Sequence, residues 1–185
     1  MTYPETTPAP TTGKRRNLTV VLSIVAVAVL LGLMALALLS PGGGRPAIGD
    51  PAPNFELTLL DGSKLRLSDL EGQVVVLNFW SSWCTPCRQE APELQKVWET
   101  VQGQGAIFLG ISYKDAEDAS RAFVQELGIT YPNGTDLRGR IGNTYGVTGV
   151  PETFIIDGSG RLAHFYWGEV QASELSQRLA TILGQ

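Results

Sequence analysis

The chain contains two cysteines, Cys84 and Cys87, and only two residues separate them. A disulfide between them would close so short a loop that it would constrain the unfolded chain very little. The pair therefore indicates redox chemistry or metal binding rather than a structural crosslink. Zinc needs four ligands, and the chain has one histidine and no third cysteine. Haem attachment needs a histidine where Arg88 stands, so redox chemistry is favoured, with no metal or other cofactor. A buried thiol pair without function is the alternative.

The residues around the pair predict how it is positioned. The continuous apolar run Val74–Trp80 predicts a strand buried on both faces, and apolar residues at helical spacing predict a helix over 88–102. A cysteine at a helix N-terminus lies beside unpaired backbone N–H groups and the positive end of the helix dipole, which favour the thiolate. We therefore expect Cys84 to be the nucleophile and Cys87 to be the buried resolving thiol.

The remaining elements follow from turn signals and hydrophobic periodicity. Asp61-Gly62 predicts a β-hairpin over 54–67, and Asn133-Gly134 predicts a turn within an extended piece at 131–135. Further strands are predicted at 106–112, 153–156 and 161–167, and further helices at 115–127, 137–145 and 173–183. The order β-β-β-α-β-α-β-α-β-β-α indicates an α/β fold with a mixed sheet and helices on both faces.

The N-terminal region differs in composition from the rest. Residues 18–39 are almost wholly Leu, Val, Ala and Ile, and as a helix they would measure roughly 33 Å, close to the bilayer core of about 30 Å. We predict a transmembrane anchor. A signal peptide cleaved after the Ala35 and Ala37 region and a buried core helix are the alternatives, but the run is long for the former and too uniformly apolar for the latter.

The charges beside this run predict its orientation. The basic residues 14–16 precede it and no basic cluster follows closely, so the N-terminus is expected inside and the rest of the chain outside the cytoplasm. The predicted organisation is a disordered cytoplasmic tail at 1–17, the anchor at 18–39, a flexible tether at 40–50 and a single domain at 51–185. The net charge of -4, without a basic stripe, excludes nucleic acid as a partner.

Four stretches of sequence resemble one protein superfamily. The cysteines lie in WCTPCRQEAPEL, VVVLNFWSSW precedes it, and ISYKD and GVPETFIIDGSG follow. Together they resemble the thioredoxin superfamily, and more narrowly its membrane-tethered, extracytoplasmic group of the DsbE or CcmG, ResA and TlpA type. The resemblance covers residues 48–183. It implies a thioredoxin-like mixed sheet in which the hairpin is an N-terminal extension.

The same resemblance implies the substrate-binding residues. Pro151 matches the cis-proline that lies against the active-site disulfide and helps to dock the substrate. Only about 5–6% of X-Pro bonds are cis, so this expectation comes from the family and not from the residue itself. Trp83 and Val150 are expected beside Pro151 at the substrate, whereas Trp80 is expected either to line the motif or to belong to the core.

Two acidic residues complete the implied site. Glu90 matches an acidic residue three positions after the second cysteine, and Asn78 stands where thioredoxin has a buried aspartate. We expect Glu90 to tune the cysteine pKa values and to accept or relay a proton, with burial raising its own pKa. The alternative is a first-turn glutamate that only complements the helix dipole. Glu152 is expected either near the disulfide or exposed at a strand end.

The implied activity is thiol–disulfide exchange that reduces disulfides in substrate proteins. The family indicates apocytochrome c as the substrate, with its C-x-x-C-H thiols, and a membrane thiol donor of the CcdA or DsbD type. A general reductase or oxidant of secreted proteins is the first alternative. A peroxiredoxin-type peroxidase is disfavoured because Ser81 and Trp83 precede the cysteine in place of the expected Thr or Ser and Pro. A Sco-like copper chaperone has only His164 as a candidate ligand and needs a wider cysteine spacing.

Overall fold

The computed structural model describes residues 13–39 and 44–184, and within the first range it describes the side chains of 20–35. The chain divides into two units, with the boundary between residues 42 and 43. The first contains helix α1, Gly13–Leu39, which begins inside the segment predicted as a tail. No helix in the described part of the chain is both long enough and apolar enough to cross a membrane. The predicted anchor at 18–39 extends past the described side chains, and most of the predicted tail and residues 40–43 of the predicted tether lie outside the described residues.

The second unit has the predicted order of elements. The strands are β1 Glu56–Thr58, β2 Lys64–Arg66, β3 Val74–Trp80, β4 Ala106–Tyr113, β5 Asn133–Asp136, β6 Glu152–Ile156 and β7 Leu162–Trp167. The helices are α2 Thr85–Val101, α3 Glu117–Glu126, α4 Arg140–Thr144 and α5 Ala172–Leu183, with a 3-10 helix at Leu67–Leu70. Gly128 follows the end of α3 and adopts the left-handed conformation, with φ +62°.

Five strands form one mixed sheet in the order β5-β4-β3-β6-β7. The central strand β3 pairs in parallel with β4 and antiparallel with β6. All seven of its residues are buried, as the apolar run predicts, because both faces of the sheet are covered. The carboxyl ends of β3 and β4 and the start of β6 therefore meet at one edge of the sheet, where the cysteine motif follows β3.

The two faces of this sheet are covered differently. Apolar residues of α2, α3 and α5 form one core cluster with the first face. The hairpin β1–β2, the 3-10 helix and the five-residue α4 cover the second face. The fold is thus the predicted thioredoxin-like arrangement of a mixed sheet and helices, but the prediction of helices on both faces holds for the second face only through α4.

Residues 44–50 belong to the domain and not to a flexible tether. The Gly49 N–H donates to the Leu162 carbonyl at 2.8 Å, and the Leu162 N–H donates to the Asp50 carbonyl at 2.9 Å. These bonds place residues 49–50 alongside the start of β7. The domain therefore begins before the predicted boundary at residue 51, because these backbone groups have partners that lie about 110 residues further along the chain.

Asn133-Gly134 lies inside β5 and does not form the predicted turn. The Asn133 side chain accepts a bond from Trp80 Nε1 at 2.9 Å and donates to the Tyr131 carbonyl at 2.9 Å. A Cβ on Gly134 would lie 2.5 Å from the Thr58 carbonyl oxygen, so the glycine allows the hairpin to approach the sheet. Both residues make contacts with residues distant in the chain, and a local turn signal cannot predict such contacts.

Candidate active site

The loop between β3 and α2 carries the motif and is tied to the end of β4. The Ser81 hydroxyl donates to the Tyr113 carbonyl at 2.7 Å. The Ser82 N–H donates to the buried carboxylate of Asp115 at 2.6 Å. The two bonds fix the loop immediately before Cys84, so the cysteine is presented by a constrained backbone.

Cys84 and Cys87 form a disulfide at the N-terminus of α2. Cys84 is the N-cap residue, and its Sγ accepts a bond from the Cys87 N–H at 3.1 Å. This contact is consistent with stabilisation of a Cys84 thiolate by the helix end, because a backbone N–H at the start of the helix donates to that sulfur. Exposure does not separate the two residues, since Cys84 is 4% and Cys87 3% exposed.

The loop before β6 faces the disulfide. The Val150–Pro151 peptide bond is cis, as the resemblance implies. The Val150 carbonyl oxygen lies 3.6 Å from Cys84 Sγ. The Pro151 carbonyl accepts a bond from the Gly168 N–H at 3.0 Å, which joins this loop to the end of β7. The structure thus brings Val150, and with it the cis bond to Pro151, to Cys84.

The two tryptophans near the motif have different surroundings. Trp83 is 65% exposed and presents an indole surface next to Cys84. Trp80 is buried and stacks on Phe123 with ring centroids 4.3 Å apart. Trp80 is therefore a core residue, and Trp83 is the one available to a partner.

Glu90, three residues after Cys87 on α2, is buried within a small polar cluster. Its Oε1 accepts a bond from Asn78 Nδ2 at 2.7 Å, and its Oε2 accepts one from the Val170 N–H at 3.2 Å. Asn78 Nδ2 also donates to the Thr153 hydroxyl at 2.9 Å. Burial raises the pKa of Glu90 to about 8, although the bonds from Val170 and Asn78 oppose the rise and Glu169 adds to it. The alternative of a first-turn glutamate that only complements the helix dipole is wrong, because α2 begins at Thr85 and its first turn contains no acidic residue. Glu90 is also only 2% exposed.

Glu152 is fully buried, so the expectation of an exposed strand-end residue is wrong. Its Oε2 pairs with Arg45 at 2.8 Å. Its Oε1 accepts bonds from the N–H groups of Thr148 and Gly149 at 3.1 and 3.2 Å. Within the described residues its hydrogen bonds go to the loop before Pro151 and to Arg45, and none goes to the cysteines.

The sequence patterns assign no role at this site to two of its residues. Arg45 falls in the segment predicted as a tether, and Asp115 is the last residue of ISYKD and the first of the helix predicted at 115–127. The one local signal for Arg45 is that it ends a long uncharged stretch, which says nothing about its partner. The signal for Asp115 is a carboxylate two residues after a buried strand, at the edge where the motif lies.

His164 lies on β7, paired with Ile155 of β6, and its ring contacts Tyr166 at 4.5 Å between centroids. Partial burial, with Arg178 nearby, lowers its pKa. Across the described residues no group of three or more His, Cys, Asp or Glu could hold a metal ion.

The chain is similar to known redox proteins. Residues 48–165 match the AhpC/TSA family. The chain is 34% identical over 136 residues to "Thiol-disulfide oxidoreductase ResA" of Geobacillus thermodenitrificans, covering 74% of this chain and 78% of that protein. A thiol:disulfide interchange protein of the thioredoxin family from Chlorobium tepidum superposes with a TM-score of 0.68 at 30% identity, covering 76% of this chain and all of that one. A secreted thiol-disulfide isomerase from Corynebacterium glutamicum superposes with a TM-score of 0.67 at 30% identity, covering 79% and 96% of the two chains.

Proposed function

The chain belongs to the AhpC/TSA family of thioredoxin-like proteins and is a thiol-disulfide oxidoreductase, and from this premise we propose that it reduces disulfides in substrate proteins through Cys84 and Cys87. The observation that carries the proposal is the placement of the Cys84–Cys87 disulfide at the start of α2, opposite the cis-Pro151 loop. A helix N-terminus favours a thiolate, and the loop gives an incoming polypeptide a backbone to lie against.

The reaction begins with the reduced pair. The Cys84 thiolate attacks one sulfur of the substrate disulfide, so that a mixed disulfide forms and the other substrate sulfur leaves as a thiolate and takes up a proton. Cys87 then loses its proton and attacks Cys84 Sγ. The Cys84–Cys87 bond forms and the second substrate sulfur leaves. Two electrons pass to the substrate, and the protein is left in the oxidised form that the structure contains.

Glu90 is the group proposed to receive the Cys87 proton. The two residues are three apart on α2 and therefore share a helix face. A carboxyl with a pKa raised to about 8 gains and loses a proton near neutral pH, which an ordinary glutamate does not. The polar cluster with Asn78 and the Val170 N–H keeps the carboxyl in place in both states.

Trapping tests the activity directly. In Cys87→Ser the second attack cannot occur, so we expect the variant to accumulate a mixed disulfide with its substrate through Cys84. Cys84→Ser is the matched control and should trap nothing. A thiol reductant should cleave the adduct, and mass spectrometry should identify the released substrate. Equal trapping by both variants, or by neither, would contradict the assigned roles.

The more specific proposal is reduction of apocytochrome c in cytochrome c maturation. Its support is the similarity to the ResA protein and to a thiol:disulfide interchange protein. We expect the trapped adduct to contain a C-x-x-C-H peptide, and a membrane protein of the CcdA or DsbD type to re-reduce the oxidised pair. Equilibration with glutathione tests the direction of electron flow, since a potential near the value of about −120 mV typical of DsbA would indicate an oxidant instead.

An extracytoplasmic, membrane-bound location is also proposed. Its support is the uncharged run at 18–39 behind three basic residues, together with the secreted nature of one similar protein. The full chain should remain with membranes after a carbonate wash. A membrane-impermeant maleimide should label Cys84 in intact, reduced cells. Release by carbonate would contradict the anchor, and labelling only after lysis would contradict the outward location.

A further inference from the structure

Arg45 contacts Gly146, in the segment before β6, and pairs with the buried carboxylate of Glu152. One guanidinium nitrogen is 2.8 Å from Glu152 Oε2. The Arg45 side chain is 25% exposed and that of Glu152 is 0% exposed. A carboxylate removed from water to this extent depends on its counter-ion, because burying an unpaired charge is costly.

Aromatic side chains of β7 hold the guanidinium in this position. It lies 3.9 Å from the ring centroid of Phe165 and 4.9 Å from that of Trp167. The backbone of Arg45 also fits closely against Gly146, where a Cβ would lie 2.4 Å from the Arg45 backbone nitrogen. Arg45 is therefore held at two places, because its guanidinium packs on aromatic rings and its backbone packs against a glycine.

The second oxygen of Glu152 holds the loop that faces the disulfide. Glu152 Oε1 accepts bonds from the N–H groups of Thr148 and Gly149 and from the Thr148 hydroxyl at 3.1 to 3.2 Å. The next residue, Val150, presents its carbonyl oxygen to Cys84 Sγ. A continuous set of contacts thus runs from Arg45 through Glu152 to the backbone on which a substrate would lie.

We propose that Arg45 is a positioning residue for the exchange reaction, which acts through Glu152 to fix the backbone of residues 148–151 opposite Cys84. This inference rests on the proposed function, because it concerns docking of a protein disulfide at the same loop. The Arg45 guanidinium lies 2.8 Å from Glu152 Oε2 and holds the carboxylate in place, so that its other oxygen accepts the two backbone N–H bonds of the loop. Without Arg45, we expect residues 148–151 to shift relative to Cys84, while the surroundings of the cysteine pair on α2 stay the same.

The test compares a large and a small oxidant of the reduced full-length chain. In Arg45→Gln the rate of exchange with a disulfide-bonded protein should fall roughly 10- to 100-fold, the loss expected of a misplaced docking group. The rate with a small aromatic disulfide reagent, which does not need the loop, should stay at the wild-type value. Arg45→Lys keeps the charge but loses the planar stacking, so its rate should be intermediate. The double variant Arg45→Gln/Glu152→Gln should be no slower than Arg45→Gln, because both residues act as one unit.

Arg121→Gln is the matched control, since it also removes one cation and its ion pair with Glu117 is exposed. Both of its rates should equal those of the wild type. Equal protein-exchange rates in Arg45→Gln and Arg121→Gln would overturn the inference. A parallel fall of both rates in Arg45→Gln would also overturn it, because that indicates general damage, and if that variant does not fold Arg45→Lys provides the same comparison. A wild-type chain that exchanges with neither oxidant would instead refute the proposed function.

Discussion

Among single side chains, Glu90 has the surroundings that most change its chemistry. Its carboxyl is buried, and the polar groups bound to it are the Asn78 amide and the Val170 N–H. Neither partner carries a charge, so neither offsets the cost of desolvating a carboxylate. Asn78 carries no ionisable group, so of these two hydrogen-bonded side chains only Glu90 can gain or lose a proton.

The first prediction concerns the pH dependence of the thiols. Replacing Glu90 with Gln should remove one ionisation from the pH profile of Cys84 alkylation in the reduced protein, because the carboxyl whose pKa is raised to about 8 no longer titrates beside the pair. The measurement is the alkylation rate across pH by mass spectrometry. Glu93→Gln, on the same helix, should keep the wild-type profile. An unchanged profile in Glu90→Gln would remove Glu90 from the mechanism.

The second prediction tests the amide beside that carboxyl. Asn78→Asp places a second acid 2.7 Å from Glu90 Oε1 and removes the donor. At pH above 8, where both acids are driven to ionise, the free energy of unfolding should fall by about 3–5 kcal/mol, the cost of an unpaired buried charge. Denaturant titration on either side of pH 8 measures this. Asn78→Ala loses the same donor without adding a second charge, so its deficit should grow less with pH than that of Asn78→Asp, and the prediction fails if the two variants behave alike.

At the scale of elements, the end of β4 supports the motif that follows β3. Asp115 accepts bonds from the Ser82 N–H at 2.6 Å and from the Ala116 N–H at 2.9 Å. One buried carboxylate therefore joins the active-site loop to the segment leading into α3. The parallel pairing of β3 and β4 brings the two strand ends together and makes this bond possible.

The third prediction follows from that bond. Asp115→Ala leaves the Ser82 N–H without its acceptor, and we expect a loss of about 1–3 kcal/mol in the free energy of unfolding. Faster hydrogen exchange in the loop 81–84 should accompany it. Asp118→Ala removes an exposed acid from the first turn of α3 and should cost less than about 1 kcal/mol. Equal losses in the two variants, without faster exchange in the loop, would show that Asp115 has no specific role there.

The elements that sequence patterns predict well are those with a local cause. The apolar run of β3 and the Asp61-Gly62 hairpin appear at their predicted places. Helix α2 begins at Thr85, three residues before the apolar spacing indicates, because the Cys84 sulfur caps it. Asn133-Gly134 carries a turn signal, yet hydrogen bonding to Trp80 and contact with the hairpin keep it in a strand.

The residues of the candidate site also differ in whether the sequence alone can predict them. The cysteine pair, Glu90 and Pro151 are within reach of sequence reasoning because motif and family resemblance mark them. The partner of Glu152 is not, since Arg45 lies 107 residues away in the chain and no periodicity or spacing joins the two. The burial of Glu152 follows only once β6 and β7 pair and the aromatic residues of β7 are in place.

For the domain as a whole, three exposed acids and the buried Glu90 give the free energy of unfolding opposite dependences on pH. The pKa values of Glu56, Asp61 and Glu93 are lowered, chiefly by hydrogen bonds from neighbouring side chains, and these residues favour the folded state above their unfolded-state values of 4.5 and 3.8. Glu90 has a raised pKa, so the folded state holds its proton more tightly than the unfolded chain does. Its contribution is therefore complete below pH 4.5 and is lost as the pH rises towards 8.

The fourth prediction measures this loss. Between pH 4.5 and pH 8 the unfolded chain has already released the Glu90 proton that the folded protein keeps, so the free energy of unfolding should fall by about 1.4 kcal/mol per pH unit from this residue alone. His164, whose lowered pKa acts in the opposite sense below 6.5, contributes to both wild type and variant. The difference between oxidised wild type and oxidised Glu90→Gln in denaturant titrations therefore isolates Glu90. A difference that does not change with pH over this range would mean that the Glu90 carboxyl is ionised in the folded protein, and that it cannot hold the proton released by Cys87.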